Sequence, residues 1–227
     1  MLSIGSSAPE FQLSDQDGNS VNIKDFEGQK VLLWFYPRAS TPGWTTQGQG
    51  LRDEFKNFKK YNTVVLGMSA DSVKAQKNFC SKQEFPFQLL SDPEKETIRA
   101  YEAIGLKKMY GREYEGILRV AYLIDENGKI EKVYEKVSPK THADEVQYQL
   151  GFLYIKNKQP KKAIAVYEQY LSGEVKEHSA VTQLNLGSLY LETKQPFLAL
   201  AAFENSRQFP QYRQNKELLQ TLKILYQ

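Results

Sequence analysis

The residues best suited to chemistry lie in one short stretch that follows an apolar run and precedes a helical pattern. The apolar run, residues 31–36, predicts a buried strand, and Pro42 and Gly43 mark the turn after it. A strand, a turn and a helix in this order direct the free N–H groups of the helix start toward one point. We expect Pro37, Thr41 and Trp44 to surround that point.

The stretch resembles a known active-site loop. Its sequence, Pro37-Arg38-Ala39-Ser40-Thr41-Pro42-Gly43-Trp44-Thr45, is similar to the peroxiredoxin motif Pro-x-x-x-Thr-x-x-Cys in the form found in Q-type members, the bacterioferritin-comigratory proteins. Where the family has the cysteine that attacks the peroxide, this chain has Trp44. The resemblance implies that Thr41 and Arg119 hold the peroxide and favour the anion of that cysteine. Because indole has no ionisable nucleophilic atom and its bulk fills the space a peroxide needs, we expect the chain to be inactive as a peroxidase.

Arg119 lies in an otherwise apolar segment, 116–125, which predicts a strand over 117–124. A buried arginine needs a partner, and in the family that partner is the thiolate and its peroxide. Without a thiolate, the acceptor is a backbone carbonyl, a water, a bound anion or the face of Trp44. Alternatively, Arg119 has no role in an active site and simply pairs with a residue at the edge of the sheet. Trp44 itself either is an ordinary packing residue, plugs the pocket beside Pro37 and Arg119, or points outward and loosens the first helical turn.

Cys80 is the only cysteine of the chain, and a lone helical cysteine is most often a small buried hydrophobic residue. It follows Trp44 by 36 residues, and some Q-type relatives carry their resolving cysteine on this next helix. The resemblance therefore makes Cys80 a candidate resolving thiol whose partner cysteine has become Trp44. Lys77 and Lys82 nearby would favour its thiolate. Other relatives have the resolving cysteine at the position of Gln49, where that role is absent.

The composition describes an ordinary globular chain and excludes several classes of protein. The 227 residues are 41% hydrophobic and 25% charged, and a net charge of +3 gives no reason to expect a nucleic-acid partner. The longest apolar runs are about six residues, against the roughly 20 that span a bilayer. Because the chain has one cysteine, we expect no internal disulfide. Its two histidines lie in separate segments without other ligand residues, so we expect no metal site. It has no glycine-rich phosphate loop, and we expect no cofactor. We expect a cytoplasmic protein without a membrane partner.

The order of the predicted elements indicates an α/β domain. A hairpin turns at 15–19, strands lie at 31–36, 63–68, 87–90, 117–124 and 130–134, and helices lie at 44–60, 71–84 and 93–103, with Asp71 and Pro93 at two helix starts. Two glycines, Gly48 and Gly50, should make the helix after Trp44 easy to unfold. This order is that of a thioredoxin-like fold with a mixed central sheet, which the resemblance also implies, and we place this domain at 1–146.

The remaining residues, 147–227, show only helical periodicity and repeat themselves after 36 positions. Leu150-Gly151-x-x-Tyr154 recurs as Leu186-Gly187-x-x-Tyr190, and Ala163 recurs as Ala199. This pattern resembles the tetratricopeptide repeat, lengthened by two residues near 173–178, although the first aromatic position of that repeat is glutamine here. We predict an all-α domain with repeats at about 147–175 and 183–211 and a capping helix at 214–226.

Three functional hypotheses follow. The first is a non-catalytic peroxiredoxin-family protein that serves as a scaffold and binds a protein or peptide through its helical repeats. The second is a thiol-dependent antioxidant peroxidase whose cysteine at position 44 has been replaced by Trp44, with Cys80 as the resolving thiol and a dithiol such as thioredoxin as the reductant. The third is a redox sensor that uses Cys80 alone. Association with a second copy of the chain, as a homodimer, is also open.

Overall fold

A computed structural model of the chain describes residues 1–39, 41–109, 112–172 and 174–226. Ser40 of the loop motif and Gly173 of the predicted two-residue insertion therefore lie outside the described residues. The chain divides into two compact units, Met1–Ala143 and Asp144–Gln227. In the described residues, no helix is long and apolar enough to cross a membrane.

The first unit is built on a mixed seven-stranded sheet, as the sequence predicts. Its strands are β1 (Gln12–Ser14), β2 (Ser20–Asn22), β3 (Lys30–Phe35), β4 (Thr63–Ser69), β5 (Gln88–Ser91), β8 (Ala121–Ile124) and β9 (Ile130–Tyr134), and a separate hairpin contains β6 (Ile104–Met109) and β7 (Arg112–Ile117). The order across the large sheet is β2-β1-β5-β4-β3-β8-β9. Strands β3, β4 and β5 are parallel, whereas β8 and β9 pair antiparallel.

Strand β3 lies inside this sheet, between β4 and β8, and every one of its residues is buried. Val31, Leu33 and Phe35 belong to the main apolar core on one side. Trp34 and Tyr36 point the other way and stack on each other, with ring centroids 4.8 Å apart. A continuous apolar run of this kind is what a central parallel strand requires. The predicted strand at 31–36 is thus confirmed and shifted by one residue.

The helices of the first unit are shorter than predicted. They are α1 (Pro42–Asp53), α2 (Phe55–Lys60), α3 (Val73–Gln83) and α4 (Glu96–Ala100). The single helix predicted at 44–60 is wrong, because the backbone leaves helical geometry at Glu54 (φ −90°, ψ 1°). The start predicted at Pro93 is also wrong, because Lys95 adopts a left-handed conformation (φ 59°) and the helix begins after it. Ser72, not Asp71, caps α3 by accepting from the N–H of Ala75.

The strand predicted over 117–124 is confirmed only at Ala121–Ile124, and its first part is interrupted. Residues up to Ile117 pair with β6, and the chain resumes sheet pairing only at Ala121. The N–H of Leu118 still donates to the carbonyl of Ala103, the next pair in the register of the hairpin. Arg119 therefore lies in a three-residue connection between two sheets and not within a strand.

The second unit consists of helices in its described residues. They are α5 (His142–Lys156, which begins in the first unit), α6 (Pro160–Leu171), α7 (Ser179–Glu192), α8 (Pro196–Ser206) and α9 (Lys216–Leu225), with a 3-10 turn at Pro210–Tyr212. The α/β class and the helical C-terminal part are thereby confirmed.

The sequence repeat is also a repeat of structure. A methyl group on Gly151 would lie 2.2 Å from the ring of Tyr167, and one on Gly187 would lie 2.3 Å from the ring of Phe203. Each glycine thus permits close contact between two consecutive helices. The turns that join these helices repeat as well, with a left-handed residue at Lys158 and again 36 positions later.

Candidate functional site around Trp44 and Arg119

The loop before α1 has the strand, turn and helix geometry that the sequence predicts. Pro37 is half-buried just beyond β3, and Thr41 is the extended residue that precedes the helix. The Thr41 carbonyl accepts from the N–H groups of Trp44 and Thr45, at 3.1 and 3.0 Å. Its hydroxyl does not cap the helix; it donates to the carbonyl of Arg38 at 3.1 Å. Backbone bonds therefore hold Trp44 directly beside Thr41.

A carboxylate from the next strand connection fixes this loop. Asp71 accepts from the N–H of Ala39 at 2.7 Å and from the hydroxyl of Ser69 at 2.8 Å. Gln76 extends the network by donating to Ser69 and accepting from the buried hydroxyl of Tyr36. Hydrogen bonds to a charged acceptor are worth about 1.5–3 kcal/mol each. Asp71, which we expected to cap a helix, instead anchors the loop.

Trp44 packs inward against Arg119. Only 7% of Trp44 is exposed, and the guanidinium carbon of Arg119 lies 3.6 Å from the centroid of the indole ring. Nη1 of the same guanidinium donates to the carbonyl of Gly43 at 3.1 Å and to Oε1 of Gln47 at 3.4 Å. Burial lowers the pKa of Arg119. Of the acceptors that we considered for Arg119, the structure contains a backbone carbonyl and the face of Trp44.

Behind Arg119, a buried amide connects the site to a histidine. Because arginine can only donate, the Oε1 of Gln47 faces Arg119 and its Nε2 faces His142. The Nε2 of Gln47 lies 3.0 Å from Nδ1 of His142, so Nδ1 accepts and the imidazole is neutral with its proton on Nε2. That Nε2 is buried and has no hydrogen-bond partner among the described residues. Burial, and secondarily the charge of Arg119, lowers the pKa of His142 to about 3.

Cys80 lies in a separate environment on α3. The residue is buried, 9% exposed, and its Sγ–H donates to the carbonyl of Phe85 at 3.3 Å. Burial raises the pKa of the Cys80 thiol, and the charges of Asp17 and Asp15 raise it further. Lys77, one of the two lysines expected to favour the thiolate, is exposed and pairs with Asp17 at 3.4 Å. Cys80 is thus a poor nucleophile in this conformation.

Helix α1 and the environment of Cys80 meet at Phe85. A methyl group on Gly48 would lie 2.4 Å from Cζ of Phe85, so the ring packs directly on the helix backbone. The same residue accepts the Cys80 thiol through its carbonyl. Gln49, the alternative resolving position, donates to Oε1 of Gln83 at 2.9 Å. Gly48 therefore has a packing role that the sequence did not reveal, in addition to its low helix propensity.

Several residues of the site were not found from the sequence. Gln47 and His142 are 95 positions apart, and a lone histidine near a helix start carries no signal of such a contact. Asp71 resembled a helix cap because it precedes a helix by two residues. Among the described residues, no three His, Cys, Asp or Glu side chains cluster as metal ligands. The arrangement holds the Arg119 cation against the aromatic face of Trp44.

Residues 4–133 match the AhpC/TSA family of proteins. The chain is 43% identical to peroxiredoxin Bcp of Escherichia coli K12 over 145 residues, which are 64% of this chain and 93% of that protein. It is 45% identical over 141 residues to a putative peroxiredoxin of Haemophilus influenzae, and these residues are 62% of this chain and 91% of that protein.

Solved structures give the same result. A cysteine-to-serine mutant of Xylella fastidiosa PrxQ is 32% identical with a TM-score of 0.63, over 69% of this chain and 98% of that one. Xanthomonas campestris peroxiredoxin Q is 37% identical with a TM-score of 0.59, and the match covers 62% of this chain and 89% of that one. These matches lie over 62–69% of this chain, and the family match ends at residue 133, before the helical unit.

Proposed function

The chain belongs to the AhpC/TSA family of peroxiredoxins, and we propose that it is a member without thiol-based peroxide reduction that binds a protein partner through its helical unit. The observation that carries the first part is the buried indole of Trp44, stacked 3.6 Å beneath the guanidinium of Arg119. In the proposed correspondence, this is the position of the cysteine that attacks the peroxide. The indole fills the space in front of the cation that a peroxide would need.

Two features support this correspondence. The spacing from Pro37 through Thr41 to Trp44 follows the family motif, with only the cysteine changed. The solved relatives include two cysteine-to-serine mutants of Xanthomonas campestris peroxiredoxin Q at positions 36 residues apart. Trp44 and Cys80 are separated by the same 36 residues. We infer that Cys80 occupies the position of the second cysteine and that Trp44 occupies that of the first.

The chemistry requires the missing thiolate. In peroxide reduction a thiolate attacks one peroxide oxygen, the O–O bond breaks, and the sulfur becomes a sulfenic acid while the other oxygen leaves as water or alcohol. Indole carbon and nitrogen do not perform this step. Cys80 does not replace the thiolate, because its pKa is raised and its Sγ–H is bonded to a carbonyl. We therefore also reject the sensor that uses Cys80 alone.

The second part of the proposal rests on the helical unit. Its repeating contacts, Gly151 with Tyr167 and Gly187 with Phe203, are those expected of a stacked helical repeat such as the tetratricopeptide repeat. Large apolar side chains remain exposed on its α8: Phe197 is 86% and Leu198 is 46% exposed. Exposed apolar groups of this size on a helical array favour a protein or peptide partner.

The alternative is a thiol peroxidase that lacks only the sulfur nucleophile at position 44. It is favoured by the presence of Thr41, Arg119 and Cys80 at the positions that the resemblance to the family assigns to them. In that case a cysteine restored at position 44 would attack the peroxide, condense with Cys80 and be reduced by an external dithiol such as thioredoxin.

Peroxide consumption with a dithiol reductant tests the first part. The chain and its variants Trp44→Cys and Trp44→Ser would be compared, the serine variant removing the indole without adding a thiol. We expect no turnover by the unchanged chain or the serine variant. Turnover by the cysteine variant alone, with a disulfide to Cys80 detected by mass, supports the correspondence of both positions. Turnover by the unchanged chain would refute the proposal.

Capture of binding partners by the full chain tests the second part. The double variant Phe197→Asp, Leu198→Asp removes the exposed apolar face of α8. Leu106→Asp is the matched control, because Leu106 is 77% exposed in the first unit. We expect a protein retained by the unchanged chain and the control to be lost from the double variant. Identical retention by all three would show that this face binds nothing.

A further inference from the structure

Two cations of the first unit, Arg119 and Lys107, have no carboxylate partner among the described residues. Among the described residues, Arg119 donates to a backbone carbonyl and to the neutral amide of Gln47, and Lys107 donates to the carbonyl of Ile117. Within the described part of the chain, neither cation lies in salt-bridge distance of a carboxylate. Both side chains are half-buried. Partly buried positive charges without a counter-ion are costly, so the presence of two such charges that influence each other calls for an explanation.

The guanidinium of Arg119 has one edge available. Its Nη1 is bonded to Gly43 and Gln47, and the face of the guanidinium is covered by the indole of Trp44. Stacking on an aromatic ring leaves the N–H groups in the plane of the guanidinium free to donate. The edge formed by Nε and Nη2 has no acceptor among the described residues. Two parallel N–H groups of this kind match the two oxygens of a carboxylate.

Lys107 is brought to the same region by the β6–β7 hairpin. Strand register places Ile104 opposite Ile117, and Lys107 reaches back along the hairpin to the Ile117 carbonyl, two residues before Arg119. Burial lowers the pKa of Lys107, and the charge of Arg119 lowers it further, so the two cations repel each other. An ammonium group has three donors, and this bond uses one of them.

We propose that Arg119 and Lys107 together bind a small organic carboxylate, with its two oxygens on the Nε and Nη2 edge of Arg119 and Lys107 as a second positive charge. The ligand replaces the counter-ion that the site lacks. Trp44 supplies an apolar wall beneath it. This site is independent of whether the helical unit binds a partner and requires no peroxide chemistry.

The test uses acetate as the probe, on the full chain. Acetate would replace chloride at constant ionic strength while tryptophan fluorescence is followed, and isothermal titration calorimetry would measure the affinity. We expect saturable binding that Lys107→Gln and Arg119→Gln each weaken by about tenfold or more, since each removes a charged hydrogen bond. The matched control is Lys82→Gln, an exposed lysine of the same unit, which should bind acetate like the unchanged chain.

A second pair of variants tests the geometry without removing a charge. A methyl group on Gly43 would lie 3.0 Å from Nη2 of Arg119, whereas one on Gly50 of the same helix finds its first neighbour at 3.8 Å. We expect Gly43→Ala to weaken acetate binding and Gly50→Ala to leave it unchanged. Equal binding by the unchanged chain, Lys107→Gln and Gly43→Ala would overturn the proposal. Chloride or inorganic phosphate binding as tightly as acetate would overturn the assignment to carboxylates.

Discussion

The buried imidazole of His142 should make the first unit sensitive to mild acid. Its environment lowers the pKa from the ordinary 6.5 to about 3. In the unfolded chain the imidazole is exposed and binds a proton below about pH 6.5, whereas in the folded chain it does not until about pH 3. The unfolded state therefore binds more protons in this window, and the free energy of unfolding falls as the pH falls through it.

The size of the effect follows from the two pKa values. Each unit of difference corresponds to about 1.4 kcal/mol, so the full window is worth about 5 kcal/mol. Only part of that is lost under mild conditions, about 2 kcal/mol between pH 7 and pH 5. His142 is completely buried, with the ring of Tyr134 at 5.2 Å, so solvent screening does not reduce this figure appreciably. Arg119 adds to the cost of a second positive charge.

The assay is urea unfolding at pH 7 and pH 5, followed by tryptophan fluorescence. Both tryptophans, Trp34 and Trp44, lie in the first unit, so the signal reports that unit. His142→Asn is the control, because its amide oxygen can accept from Gln47 but does not titrate. The variant will be less stable at pH 7, yet its loss between pH 7 and pH 5 should be smaller than that of the unchanged chain by about 2 kcal/mol. An equal loss in both proteins would refute the buried neutral imidazole.

Two further predictions concern glycines. Gly48→Ala should destabilise the first unit by about 1–3 kcal/mol, because its methyl would lie 2.4 Å from Phe85, whereas Gly50→Ala should stabilise it by up to about 1 kcal/mol. Urea unfolding ranks the two, and the reverse order would contradict the packing argument. Gly187→Ala should lower the melting temperature of the helical unit, measured by circular dichroism, because its methyl would lie 2.3 Å from Phe203. The additional change Phe203→Leu should restore part of that loss, and a purely additive loss would contradict the contact.

The sequence predicted those parts of the fold that depend on local pattern. The run at 31–36 was predicted as a central strand because six successive apolar residues can only be covered from both sides. The helical unit was predicted from its 36-residue recurrence, in which glycine and aromatic residues return together. Both signals are contained within a few tens of residues.

The misses share a physical cause, which is dependence on distant partners. The apolar neighbours of Arg119 predict one strand, but the residues before it pair with β6 and those from Ala121 onward pair with β3 in the other sheet. The β6–β7 hairpin was missed, since its first strand contains Lys107 and Lys108 and shows no clear alternation. Gln47 and His142 lie in segments far apart in the chain, and nothing in the sequence of either segment indicates that they are in contact.

The contact between Trp44 and Arg119 explains how the site persists without an anion. A half-buried guanidinium needs compensation, and an aromatic face at 3.6 Å provides about 0.5–2 kcal/mol of it. An aliphatic residue at this position would fill space but offer no such attraction. In our proposal, the residue that excludes peroxide also stabilises the cation beside it. Among the described residues, neither an aromatic face nor a carboxylate compensates the charge of Lys107, and for this reason we propose an exogenous carboxylate as its counter-ion.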